Sequence, residues 1–470
     1  MIPVVTPEEM AAIDAAAPEP VEELIERAGT ALARTALGML GGGYGRRVTV
    51  LAGKGNNGAD GRAAAQWLRR RGVRVAVIDA SETPESLPPA HLSIDAAYGT
   101  GLRRPYVPPP PASVPDAPQR AAPILAADIP SGVNGLTGEI LGEPWFADQT
   151  VAYGALKPGL ILHPGAQRCG QVTVAPIGLD ASSARTHLVT AHDVSCWLPV
   201  RPAEAHKWQT ACWVIAGSPG MTGAAHLAAA AAMRSGSGYV RLSTPGLDAT
   251  DILASSTAST ETVGHPLPAD NWADAIEADE QSRFKAMAVG PGLGRQSATV
   301  QSVRELAGRT PLPLVIDGDG LFALGLEADG VLADRTAPTV LTPHDGEYRI
   351  LTGEAPNPDR FAAARSLAAA TGVHVLLKGP TTVVADPDGT AVAIANGDAR
   401  LATAGTGDVL AGLICGLLSA GLEPMKAATA AAWLHGQAAS SRPPGGMTAS
   451  DLLLALPQAW EAATQQKAAP

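Results

Sequence analysis

Aromatic residues make up only 4% of the 470-residue chain, and no Lys/Arg cluster stands beside those present. A base-stacking surface for nucleic acid is therefore excluded, and the net charge of −11 removes the basic footprint as well. Cysteine is rarer still. Cys169, Cys196, Cys212 and Cys415 are too scattered for a zinc spacing and too few to staple so long a chain, so they read as reduced structural thiols. The ten histidines include no His-Glu-x-x-His run, which excludes the zincin signature. Long apolar runs are missing too: the uncharged stretch Val409–Leu422 falls short of the roughly 20 residues that span a bilayer and reads as a buried core helix. The first residues lack the basic and apolar regions of a signal peptide. A cytoplasmic protein with no nucleic-acid and no membrane partner is expected.

What is present is apolar material enough for large cores, 46% hydrophobic against 17% charged, in a chain too long for one core. Two α/β domains are expected, over residues 1–180 and 185–470, with the junction in the weakly patterned stretch from about Asp180 to Ala205. Thr6, Pro7 and Glu9 form a capping box, and Val21–Leu40 carries apolar residues at helical spacing, so two helices precede the first strand. Strand Val48–Ala52, a Gly-rich loop, helix Ala59–Arg71, strand Val73–Ile78 and strands near Leu92–Ala96 and Ile124–Ala127 then predict a parallel sheet with helices on both faces. Seven of the fifteen residues from Arg104 to Pro118 are proline, which predicts a surface loop with polyproline stretches. In the second half a strand begins at Cys212–Ala216. Strands Ala286–Val289, Leu314–Ile316, Thr339–Leu341 and Val373–Leu377 alternate with Ala-rich helices, and Thr381–Ala385 with Thr390–Ala395 reads as a hairpin.

Gly53-Lys54-Gly55-Asn56-Asn57-Gly58 satisfies G-x-G-x-x-G between strand and helix, with Asp79 ending the next strand. Asn56, Asn57 and Asp60 then stand where a diphosphate would meet bare N–H groups, and an anionic Asp60 would repel it; alternatively Asp60 merely caps the helix. Polar loops also follow two other strands, at Asp95–Leu102 and Asp128–Val133. Ligands of open sheets bind beyond the carboxyl ends of strands, so Asn57, Asp95 and Ser131 are expected to converge, as oxygen donors suited to a hard cation. These loops, with Gly154-Ala155-Leu156-Lys157-Pro158-Gly159, resemble the NAD(P)H-hydrate epimerase family over residues 5–178. The resemblance implies that Asn56, Asn57, Gly58, Ala59, Asp60, Gly99, Thr100, Gly101, Leu102, Arg103, Arg104, Pro105 and Asp128 contact the hydrated nicotinamide nucleotide. It implies further that Asn57, Asp95 and Ser131 hold potassium. Asp128 or Lys157 would assist reversible ring opening at the hydrated carbon.

Gly405-Thr406-Gly407-Asp408 opens an apolar helix, which places an anion hole beside a carboxylate that the helix dipole keeps ionised and able to accept a hydroxyl proton. Gly217–Ala224, Gly290–Gly294 and Lys378-Gly379 each follow another strand, as places where backbone cradles phosphates or a nicotinamide nucleotide, and Asp317–Gly320 and Leu341–Glu347 add polar groups after two further strands. From residue 185 onward these motifs resemble the ADP-dependent NAD(P)H-hydrate dehydratase family, whose fold is ribokinase-like. By that resemblance Ala224, Gly294, His344 and Asp408 contact the hydrate, and Lys378, Gly379, Pro380, Thr381, Thr382 and Gly407 contact the adenine nucleotide. The expected fold is a Rossmann-like three-layer domain followed by a ribokinase-like α/β domain. The expected partners are hydrated NADH or NADPH and ADP, with Mg²⁺ and K⁺, in a homo-oligomer. Three rivals stay open: a ribokinase-like small-molecule kinase with a Rossmann-like accessory domain, a nicotinamide-dependent oxidoreductase, and a non-catalytic N-terminal module.

Overall fold

Thr6 accepts from the Glu9 amide at 3.1 Å while Glu9 accepts from the Thr6 amide at 2.7 Å, so the capping box forms and opens helix Pro7–Ala16. The next helix, Val21–Leu40, ends at Gly41 with φ of +64°, the left-handed stop that glycine supplies without strain. A short strand at Ile2–Val4 precedes both, contrary to expectation; three residues are too few to show alternation. The computed structural model describes residues 1–82, 84–254, 261–279 and 281–465, and the chain divides into units Ile2–His187 and Leu188–Pro470, the latter with Met1.

The first unit holds a six-stranded sheet, all parallel. Its spatial order is Arg74–Asp79, Arg47–Ala52, Leu92–Ala96, Ile124–Ala127, Gln149–Tyr153 and Gln171–Ala175. The last two strands were not expected from the sequence; Gln149–Tyr153 is buried on both sides and so lacks alternation. Strand order reverses between Arg47–Ala52 and Leu92–Ala96, and the crevice there is where such sheets take ligands.

Period two separates the faces of this sheet. Val48, Val50, Ala52, Ile94, Leu125 and Ala127 pack under Leu32, Ala33 and Ala36 of one helix and Ala64 and Leu68 of helix Asn56–Arg70. On the other face, Leu51, Ile124 and Ala126 meet Leu87, Leu102, Tyr106, Ala112 and Trp145, none of which lies in a helix. The expectation of helices on both faces is corrected: the third layer is irregular chain. The Pro-rich segment belongs to it. Instead of running wholly over the surface, the segment buries Pro109 and Ala112, takes a 3.0 Å hydrogen bond from Trp145 Nε1 on the Pro109 carbonyl, and ends in the ribbon Ser113–Val114 with Ala117–Ala121.

In the second unit the sheet runs Ala391–Ile394, Thr382–Ala385, His374–Leu377, Thr339–Leu341, Leu314–Ile316, Ala286–Val289, Ala211–Ile215, Tyr239–Ser243 and Val263–Gly264. The first two strands form the antiparallel hairpin read from Asp386–Gly389, and the pairs from His374–Leu377 onward are parallel. Tyr239–Ser243 and Val263–Gly264 were missed by the sequence reading. The junction stretch is also better ordered than expected, with helix Ala191–Trp197 capped reciprocally by Thr190 and Asp193. Helix Thr406–Ser419, apolar all round, is the buried core helix. Gly412 and Gly416 let helix Gly223–Arg234 approach closely: an added Cβ would lie 2.1 Å from the Ala228 carbonyl oxygen and 1.7 Å from Ser235 Oγ. No helix among the described residues is long and apolar enough to cross a membrane.

Candidate functional site

Strand Arg47–Ala52 delivers the chain into a turn that only glycine allows. A Cβ on Gly53 would sit 1.8 Å from the Ala97 carbonyl oxygen, and one on Gly58 would sit 1.9 Å from that of Gly53. The helix beyond begins at Asn56, with Gly55 as its cap and no side-chain capping bond, so Asp60 is not a cap. Its carboxyl instead lines a pocket of about 680 Å³ with Asn57, Asp14, Asp128, Tyr153 and Lys157. Asn56, Gly99, Thr100, Gly101, Leu102, Arg103 and Arg104 also line it, whereas Gly58, Ala59 and Pro105 do not. Met10, Leu24 and Ile25 from the first two helices supply an apolar wall.

At the floor Lys157, 1% exposed, donates to Asp128 Oδ1 at 2.5 Å and to the Tyr153 carbonyl at 2.9 Å. Asp128 has φ of +64°, a left-handed conformation that costs a non-glycine residue about 1–3 kcal/mol and gathers at functional sites. Burial, reinforced by Asp128 and Asp14 and opposed by Lys157, pushes the Asp60 carboxyl up to about 8. Burial thus favours the neutral form of Asp60, which weighs against the expectation that its charge repels a diphosphate. Asp14 is raised as well, by burial first. Sequence reasoning missed Asp14 and Tyr153; the available signal was Asp14 standing one turn beyond the buried Met10 on the same helix face.

Of the three expected potassium ligands, the structure joins two. Ser131 Oγ donates to Asp95 Oδ1 at 2.6 Å and the Ser131 amide to Oδ2 at 2.8 Å, while burial pushes the Asp95 carboxyl up against these bonds. Asn57 is buried, and among the described residues both its amide atoms lack a hydrogen-bond partner. As oxygen donors these side chains suit a hard cation, which would satisfy the Asn57 oxygen or offset the cost of burying Asp95.

In the second unit, Gly405 starts helix Thr406–Ser419 with φ of +89°; a Cβ there would also lie 2.6 Å from Leu227 Cδ1. His435 Nε2 is 2.9 Å from the Thr406 carbonyl, and burial pushes His435 down to about 4, so the neutral ring donates and holds the turn. No sequence motif marked His435. Asp408 is pushed up to about 7, by burial first, then by Asp317, with Lys378 opposing and Asp319 and Glu347 adding. The expectation that the dipole keeps it ionised is corrected: desolvation and three like charges outweigh the helix start.

The expected loops do come together around it. Lys378 Nζ donates to Asp317 Oδ1 at 2.8 Å and lies 3.5 Å from Glu347 Oε2. A Cβ on Gly407 would stand 3.7 Å from Lys378 Nζ. The Gly294 amide donates to Asp319 at 2.9 Å, the Gly217 amide to the Pro291 carbonyl at 2.7 Å, and a Cβ on Gly292 would reach Ala224 at 3.0 Å. His344 caps helix Asp345–Thr352, its Nδ1 accepting from the Gly346 and Glu347 amides at 2.9 and 3.2 Å, while its Nε2 lies 3.6 Å from Glu347 Oε1. Gly379 and Pro380 are exposed, Thr382 half-buried and Thr381 buried.

Comparison with known proteins matches both units. The family described as NAD(P)H-hydrate dehydratase matches residues 212–457, and the one described as YjeF-related protein N-terminus matches residues 21–88 and 78–159. A bifunctional NAD(P)H-hydrate repair enzyme Nnr of Salinibacter ruber is 38% identical over 474 residues, covering 87% of this chain and 86% of its own. Its counterpart in Moorella thermoacetica is 36% identical over 462 residues, covering 88% and 87%. Among solved structures, a ribokinase-like superfamily protein of Enterococcus faecalis is 21% identical, covers 60% of this chain and 97% of its own, and superposes with a TM-score of 0.52, a likeness of fold.

Proposed function

The chain belongs to the family of bifunctional NAD(P)H-hydrate repair enzymes, and from that premise we propose how its two units divide the work. It repairs hydrated NADH and NADPH: the first unit interconverts R and S hydrates, and the second dehydrates the S hydrate with ADP. The observation that carries this reading is that each unit gathers its own set of polar loops around a half-buried carboxyl beside a lysine, Asp128 with Lys157 in one and Asp408 with Lys378 in the other.

In the second unit Asp408 takes the proton of the hydrate's hydroxyl as that oxygen attacks the β-phosphorus of ADP and AMP leaves. A carboxyl poised near 7 suits a general base at neutral pH. The carbon–oxygen bond then breaks with phosphate as leaving group, the neighbouring carbon loses a proton, and the reduced nicotinamide is restored. Lys378 and the amides from Gly405 to Asp408 face the nucleotide phosphates, His344 and the Ala224 and Gly294 loops the hydrate. Magnesium, when bound, supplies counter-charge, held chiefly through those phosphates, because Asp317 and Asp319 are already bonded to Lys378 and to Arg295.

In the first unit the hydrated ring lies between the apolar wall and the Asn57 amide. Asp128, oriented by Lys157, takes the hydroxyl proton so that the ring opens and closes on the other face. Potassium, when bound by Asn57, Asp95 and Ser131, anchors the loops on which these groups stand.

Mixed hydrates supplied with ADP should regain reduced-nicotinamide absorbance with release of AMP and phosphate. A stable phosphoester in place of phosphate would instead establish a small-molecule kinase.

A further inference from the structure

The ring-opening step needs two proton carriers at once. The hydroxyl proton leaves to a base, the carbon–nitrogen bond breaks with its electron pair going to the ring nitrogen, and that nitrogen takes a proton from an acid; closure on the opposite face returns both. Asp128, ion-paired to Lys157, accounts for the base. Nothing described so far supplies the acid.

The pocket holds a surplus of carboxyls. Asp14 comes from helix Pro7–Ala16, Asp60 from helix Asn56–Arg70 and Asp128 from the loop after strand Ile124–Ala127, while the buried ammonium of Lys157 is already bonded to Asp128. Facing Asp60 are Asp14, Asp128, Lys157 and the phenol of Tyr153, with exposed Arg103 and Arg104 at the mouth. Asp60 is 7% exposed, and among the described residues no hydrogen bond or ion pair engages its carboxyl. Like charges sharing one pocket do not all ionise, so one carboxyl keeps its proton; Asp128 is paired with Lys157, and of Asp14 and Asp60, which have no such partner, Asp60 is the buried one. Tyr153 adds an independent sign of a polar ligand. Its ring is 6% exposed, lines the same pocket, and its hydroxyl has no hydrogen-bond partner.

Resting on the epimerase reading, we propose that Asp60 is the acid of this site, giving its proton to the ring nitrogen as Asp128 takes that of the hydroxyl. Asp14 is a positioning residue, a like charge on the opposite helix that keeps the proton on Asp60. The raised Asp60 carboxyl, at about 8, agrees with this division.

The test is the pH profile of epimerisation by the full chain, with dehydration of S hydrate on the same preparation as the folding control. The unaltered chain should lose epimerase activity as pH rises through about 8. Asp60→Asn should lose about 10²–10⁴-fold at every pH while dehydration persists. Asp14→Asn should move the falling limb to lower pH, and Asp14→Glu should restore it; a merely structural Asp14 leaves the limb in place. Infrared titration of the unliganded chain should show a protonated carboxyl that disappears over the same range, and Asp60→Glu should keep such a band. Retained epimerisation in Asp60→Asn, an unmoved limb in Asp14→Asn, or no such band in the unaltered chain would overturn the proposal. An unaltered chain that does not epimerise at all would overturn the epimerase reading itself.

Discussion

Asn caps a helix as well as Asp and is nearly isosteric with it, so Asp408→Asn separates proton transfer from helix capping. The structure already gives the cap to Gly405. Asp408→Asn should therefore lower dehydratase turnover by about 10²–10⁴-fold with ADP affinity little changed, measured by single-turnover repair beside calorimetric ADP binding. Near-normal repair would contradict the role given to Asp408. Asp60 makes a second prediction at this scale, through stability. Its folded value near 8 lies above the ordinary 3.8, so the fold binds more protons than the unfolded chain between those limits, and stability falls as pH rises from one to the other. Asp60→Asn removes that loss and should stabilise the first unit at pH 9 by on the order of a few kcal/mol while slowing epimerisation by about 10²–10⁴-fold. A melting temperature unchanged at high pH would refute the buried neutral carboxyl. Motifs made the positions of Asp60 and Asp408 legible, because glycine spacing is local. Their protonation was not, because it is set by Asp14 and Asp128 in one case and by Asp317, Asp319 and Glu347 in the other, all distant in sequence.

Elements were read best where a local signal closed them. The capping box at Thr6 and the hairpin at Asp386–Gly389 formed as expected, and Ile124–Ala127, Ala286–Val289 and Leu314–Ile316 were placed to the residue. Gln149–Tyr153 was missed because a strand buried inside a parallel sheet shows no alternation to distinguish it from loop or helix. The Pro-rich segment was misread for a different reason: proline forbids a helix there, but it does not forbid burial. Trp145, 7% exposed and hydrogen-bonded to Pro109, pins this layer to the sheet. Trp145→Ala should destabilise the first unit by about 3–5 kcal/mol and spare dehydration by the second, as read by thermal unfolding alongside ADP-dependent repair of S hydrate. Equal loss in both activities would show that the layer does more than cover one sheet.

At the scale of the whole molecule, two acid–base sites of opposite demand share one chain. With the proposed roles, dehydration uses Asp408 without its proton and should rise with pH through about 7, whereas epimerisation uses Asp60 with its proton and should fall through about 8. With labour divided in this way, the two sites act separately and only the second restores the cofactor. The direct measurement supplies purified S and R hydrates in turn, with ADP, to the full chain carrying Asp128→Asn, a residue that tolerates the left-handed backbone at that position. S hydrate should be restored at the unaltered rate, and R hydrate only as fast as it epimerises unaided. If this variant restored both epimers at equal initial rates, the division of labour between the two units would be wrong.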